Sequence, residues 1–186
     1  KQIASGSCIL VDQKKFAKLR TRYRGIALGY IDYMLSESIV LEKKDVTRLE
    51  AIFNLFLEEC MLDFSEFKNR LVQSYLDILL VHVARVYHDF FTENQRTIAE
   101  IDKKFTTYCQ EAFSRKNNDN GSAVSLGWYA KQLGVSNSYL NDLSLALHQR
   151  SAQDRLDQYI VLEAKRLLSQ AHLSTAEIAK RIGFSE

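Results

Sequence analysis

The chain has 186 residues, with 25 Lys+Arg against 23 Asp+Glu for a formal net charge of +2, and 46% of its residues are hydrophobic. That apolar content supports a packed core and excludes global disorder, while no apolar run reaches the roughly 18 residues of a membrane span; the longest, Ile78 to Tyr87, is broken by His82 and Arg85. A charge so near balance is far from the basic surplus of an isolated nucleic-acid module, and neither establishes nor excludes such a partner.

In chain order, Cys8-Ile-Leu-Val and Gly25-Ile-Ala-Leu-Gly-Tyr-Ile read as two short strands, each an apolar or alternating run. A basic stretch with Lys14, Lys15, Lys18, Arg20, Arg22 and Arg24 lies between them and reads as a solvated edge or loop. Two strands do not make a stable sheet, so they read as the remnant of a larger one. From Asp45 the period becomes helical, with Val46, Leu49, Ile52, Phe53 and Phe56 on one face. A longer helix follows from about Ser65 to Phe91, and its apolar positions, Leu71, Val72, Tyr75, Leu76, Ile78, Leu79, Val83 and Val86, are too many for one partner. The pair reads as a helical hairpin with apolar surface left for a second copy of the chain. Glu93-Asn-Gln-Arg is a polar boundary, placing a first domain at 1–92 and a second at 93–186. The second opens with a helix carrying Ile98, Ile101, Phe105, Tyr108, Ala112 and Phe113, followed by Lys116-Asn-Asn-Asp-Asn-Gly-Ser, a loop by its turn chemistry.

Beyond that loop the chain repeats itself. Ala130-Lys-Gln-Leu-Gly-Val-Ser136 matches Ala179-Lys-Arg-Ile-Gly-Phe-Ser185, 49 residues on. Each heptad has the makings of a helix-turn-helix. An alanine allows close helix crossing, Gly134 or Gly183 permits the left-handed backbone that ends the first helix, and Val135 or Phe184 is an apolar plug. Ser136 or Ser185 then caps a helix whose first residues would enter a major groove. One long helix, about Ala152 to Gln170, separates the copies. Ser151 is its N-cap, and Leu156, Ile160, Ala164, Leu167 and Leu168 form its inner face. Nineteen residues span roughly 28 Å, enough to hold two recognition helices about one DNA turn apart. Ser174-Thr-Ala-Glu177 opens the second unit as a capping box.

Trp128-Tyr-Ala-Lys-Gln-Leu-Gly-Val-Ser-Asn-Ser-Tyr-Leu140, Glu163-Ala-Lys-Arg-Leu-Leu168 and Ile178-Ala-Lys-Arg-Ile-Gly-Phe-Ser185 together resemble the DNA-binding domain of AraC-type transcription regulators. The resemblance covers about residues 95–186; the first half is similar, less specifically, to the helical end of that family's cupin-like sensor domain. It implies a mainly α fold: a double helix-turn-helix joined by a long helix and preceded by a helical hairpin with a small β remnant. It also implies a regulator that binds double-stranded DNA as a homodimer and answers to a small-molecule effector through its N-terminal domain. Candidate DNA-contacting residues are Ser136, Asn137, Ser138, Asn141, Asp142, Ser185 and Glu186, with Asn137, Ser138, Asn141 and Asp142 free in solvent and Leu140, Leu143 and Leu147 buried beneath. The chain departs from the family where Gln149 replaces a usual glycine, Ala152 a frequent proline, Asp142 and Ile160 frequent arginines, and Ser144 an aromatic. Asp142 matters most, because a carboxylate accepts from cytosine N4 but repels phosphate. From Asn120 to Glu186 there are seven Lys+Arg against six Asp+Glu, a net of +1.

The remaining features point to a binding protein without enzymatic activity. There is no Gly-rich phosphate loop, nucleophile elbow or metal motif, and no cofactor is expected. Cys8, Cys60 and Cys109 are odd in number with no CxxC, which argues against disulfides and zinc and fits a reducing cytoplasm; each reads as a small buried hydrophobe. Lys1-Gln-Ile-Ala-Ser-Gly-Ser lacks the apolar core of a secretory signal. Proline is absent where roughly nine are expected, and the chain stops at the second residue of the expected second recognition helix. Missing termini and weak specific binding by this chain are therefore expected. The alternative is a helical protein-interaction module that does not bind DNA; salt-dependent binding to duplex DNA separates the two.

Overall fold

The computed structural model describes residues 8–10, 28–114, 125–170 and 173–184. Over these residues the chain is mainly helical and contains no strand. Two 3-10 turns, Gly29–Asp32 and Leu35–Glu37, precede α1 (Lys43–Met61), α2 (Lys68–Glu93), α3 (Gln95–Ser114), α4 (Leu126–Leu133), α5 (Asn137–His148), α6 (Ala152–Leu168) and α7 (Thr175–Arg181). Among the described residues no helix is long and apolar enough to cross a membrane.

Helices α1 and α2 form an antiparallel hairpin. Asp45 at the start of α1 reaches Arg85 near the end of α2 at 3.6 Å, and Phe56 is the buried residue of α1. Helix α2 begins three residues later than its apolar period suggests. Ser65 stays outside it, accepting the Lys68 N–H on its hydroxyl at 3.0 Å as a local cap. The polar boundary expected near 93–96 is a break of one residue. Asn94 ends α2 by donating both its backbone and its side-chain N–H to Phe90 O, at 3.0 and 2.9 Å. Its own carbonyl then accepts from Ile98 and restarts the helix as α3.

One apolar cluster runs from Phe91 on α2 to Ile182 just past α7, through Ile98, Phe105 and Cys109, Tyr129, Leu140 and Leu143, Leu156 and Ile160. Inside it lies a polar knot. Arg155 on α6 pairs with Asp102 on α3, and its guanidinium also donates to Thr106 Oγ1 at 2.9 Å and Ser144 Oγ at 3.2 Å. It lies 5.3 Å from the centroid of the Phe105 ring. His148 closes the knot, with Nε2 at 2.8 Å from Asp102 Oδ2. Losing one partner of a buried ion pair strands the other, at a cost of about 3–5 kcal/mol.

The structure corrects several expectations. Cys8–Leu10 has no regular structure, and Gly29–Ile31, expected as strand, is part of a 3-10 turn. The reason is that Tyr30 and Tyr33 both reach Tyr87, at ring-centroid distances of 5.4 and 5.2 Å. Residues three apart share a side of a 3-10 turn but fall on opposite faces of a strand. The rest of the first expected strand, residues 25–27 of the second, the basic stretch and the 116–122 loop lie outside the described residues. Helix α6 ends at Leu168, two residues early, which leaves 17 residues and roughly 26 Å. Of the three cysteines only Cys109 is buried; Cys8 and Cys60 are exposed. Burial pushes the Cys109 thiol up to about 12.

Gln149, at the glycine position of the resemblance, closes α5 in the left-handed region with φ 56° and ψ 25°. That conformation costs an L-residue about 1–2 kcal/mol, part of which glycine returns as unfolded-chain entropy. Gln149→Gly should therefore stabilise the fold by about 0.5–1 kcal/mol, raising the melting temperature by roughly 1–4 °C. A thermal melt checks this, and a lower midpoint would mean that the glutamine side chain contributes more than its backbone costs.

Candidate nucleic-acid interface

The two repeated heptads fold into the same turn. The Val135 N–H donates to Ala130 O at 3.0 Å and the Phe184 N–H to Ala179 O at 2.9 Å. Gly134 and Gly183 donate to Lys131 O and Lys180 O at 3.2 and 3.1 Å, with φ of 70° and 94°. Both are six-to-one and left-handed, as the glycines require. The plugs differ, because Val135 is buried while Phe184 is 53% exposed. Ser136 caps α5 by accepting the Tyr139 N–H at 3.1 Å, Ser151 caps α6 through Asp154, and Ser174 with Glu177 forms the capping box of α7.

Helix α5 is where the candidate residues gather, and most of them are engaged. Asn137 is exposed, but Ser138, Asn141 and Asp142 are only partly so, which corrects the expectation that all four stand free in solvent. Asn141 Oδ1 accepts the Gln153 N–H at 3.3 Å, so it helps cap the start of α6. The other contacts come from residues 28–37, which lie across α5. The Ser138 hydroxyl donates to Asp32 at 3.3 Å, and the Tyr33 hydroxyl donates to Asp142 Oδ2 at 2.7 Å. Glu37 takes the Ser136 N–H at 2.5 Å and the Ser136 hydroxyl at 2.8 Å, while the Met34 N–H holds the same carboxylate at 2.6 Å. Beneath the helix, Leu140 and Leu143 are fully buried and Leu147 partly so. Ser185 and Glu186 lie outside the described residues.

Two features allow so close a cover. At Gly29 a Cβ would lie 2.9 Å from Asp142 Cγ and closer still to Oδ2, so the turn reaches the helix only with glycine there. Glu37 places a buried negative charge against the N-terminus of α5, where unpaired backbone N–H groups and the helix dipole favour an anion. Burial raises the Asp142 carboxyl above its ordinary range, partly offset by the Tyr33 hydroxyl. Burial and Asp142 together push Tyr33 far up, so it remains a donor at neutral pH.

Sequence reasoning missed Asp32, Tyr33 and Glu37. They are separated from α5 by about a hundred residues, and no local pattern marks them. The nearest signal was Asp142 itself, an acid where the resemblance calls for a base.

Deleting the carboxylate with Glu37→Ala should free the first turn of α5, exposing a buried donor at about 1–3 kcal/mol. Amide hydrogen exchange at Ser136 should then quicken about ten- to hundredfold. Unchanged exchange would show that Glu37 does not hold the helix in solution. Compared with family models, with curated proteins and with solved structures, the chain finds no match.

Proposed function

We propose that the chain is a sequence-specific DNA-binding transcription regulator of the AraC type. In this reading α4–α5 and α7 with its following residues are two helix-turn-helix units carried by α6. The observation that carries it is the matched pair of turns: one heptad, used twice, with the same hydrogen bonds and left-handed glycine each time, on either end of a helix of 17 residues. A single such turn is common; a copy at each end of one rod is what reading successive grooves requires.

Asn137 is the residue placed to read a base edge without rearrangement. Ser136, Ser138 and Asp142 are engaged by residues 28–37, so the described arrangement is the closed one, and DNA docking needs that segment to leave. The same reading includes a homodimer through the α1–α2 hairpin. Leu71, Ile78 and Val81 form a stripe along α2 that is 42%, 44% and 41% exposed, and such stripes mark interaction surfaces.

Fluorescence anisotropy with a labelled duplex tests the first part. Binding should appear at low salt, fall steeply as salt rises, and strengthen in Glu37→Ala. Asn137→Ala should cost about 1–3 kcal/mol at a selected site and little on random duplex. No binding at low salt by either the wild-type chain or Glu37→Ala would leave the helical interaction module as the reading. For the dimer, sedimentation equilibrium should give twice the chain mass, and a monomer at tens of micromolar would remove it.

A further inference from the structure

A cavity of about 360 Å³ opens where the 29–32 turn, α2 and α5 meet. Its walls include Tyr30, Tyr33, Tyr87, Phe91, Asp142 and Gln149. Tyr30 stacks on Tyr87 with an interplanar angle of 8°, and Tyr33 meets Tyr87 edge-on at 86°, so the three rings form one aromatic wall. Neither lysine nor arginine lines the space, and His88 is the one basic side chain that does. The Tyr33 hydroxyl is the one donor to Asp142 among the described residues, and burial disfavours the charged carboxylate.

These walls select by charge. Aromatic faces carry the negative end of a quadrupole and attract cations, and a desolvated carboxylate gains most from a charge-assisted donor. An anion would meet Asp142, and the one basic side chain on the walls, His88, already faces Asp89 at 3.4 Å. A neutral apolar molecule would leave its carboxylate oxygens as poorly matched as before. The volume lies at the small end of ligand sites.

We propose that this cavity binds a small organic cation, an ammonium group on a compact apolar or aromatic body, and that the bound cation holds residues 29–37 on α5. The second half follows from where the walls come from. Two tyrosines belong to the covering segment, Tyr87 and Phe91 to α2, and Asp142 and Gln149 to α5 or its end. The site exists only when the cover is docked, so a ligand at about a hundred times its dissociation constant favours the closed arrangement about a hundredfold. That such a cation weakens DNA binding rests on the function proposed above; that it binds does not.

Calorimetry on the full chain with benzylamine, benzyl alcohol and phenylacetate, three probes of similar shape and different charge, tests the site. Benzylamine should bind, the alcohol about tenfold more weakly, and phenylacetate not at all. Asp142→Asn and Tyr87→Leu should each weaken benzylamine about tenfold, while Tyr87→Phe, which keeps the ring, should retain it. Hydrogen exchange reads the clamp: saturating benzylamine should slow the amides of residues 29–37 and of Ser136–Tyr139. The site is overturned if benzylamine fails to bind at millimolar concentration, if phenylacetate binds as well, or if Asp142→Asn and Tyr87→Leu both keep full affinity. Amine binding that leaves those amides unchanged would overturn the clamp. A chain that takes benzylamine and slows those amides yet never binds duplex DNA would sink the regulator reading and leave the site and clamp standing.

Discussion

The guanidinium of Arg155 fixes the arrangement of the C-terminal helices. Carried by α6 and largely withdrawn from solvent, it takes its partners from the other two helices, Asp102 and Thr106 from α3 and Ser144 from α5. A buried charge left without partners costs far more than an apolar side chain in the same place. The three helices therefore cannot slide past one another without breaking these bonds. The knot also explains Ser144, where the resemblance leads one to expect an aromatic: a ring there would take the space the guanidinium occupies, and the hydroxyl gives it an acceptor.

With its inner face held by that knot and by Leu140 and Leu143, α5 has its outer face and first turn left, and residues 28–37 take much of both. The contacts are polar and acidic at the helix start, through Glu37 and Asp32, and aromatic further along, through Tyr33 on Tyr139 and Asp142. On the proposed reading this is a mimic. A carboxylate stands where a phosphate oxygen would, and it satisfies the same backbone donor.

What was legible in the sequence was local. Gly134, Ser136, Ser151 and the Ser174–Glu177 box act through neighbours within four residues, and each does what its type and spacing imply. The 3.6 period placed the helices, with errors at their ends where a side-chain cap decides, as at Ser65. What was not legible was non-local. Asp102 and Arg155 are 53 residues apart, and either alone reads as a solvated charge. Glu37 and Ser136 are 99 apart. Gly25 to Ile31 misled because an apolar run near a glycine fits a strand by local rules, whereas the turn over Gly29–Asp32 is imposed by two tyrosines that must face one ring on α2. Among the candidate site residues, the helix was found and its occupancy was not.

Because Glu37 and Ser136 belong to one chain, their encounter does not depend on how much protein is present. A tethered partner acts at an effective concentration of millimolar order, and the folded helices between these two residues leave it little room to wander. If α5 is a DNA reader, any operator competes against that built-in anion at the same disadvantage in a cell with ten copies of the chain or ten thousand. Raising expression would multiply the number of closed molecules and open ones together and leave their ratio untouched. Only something that acts on the ratio itself can move it: a cation in the aromatic cavity, a partner for residues 28–37, or a substitution at Gly29.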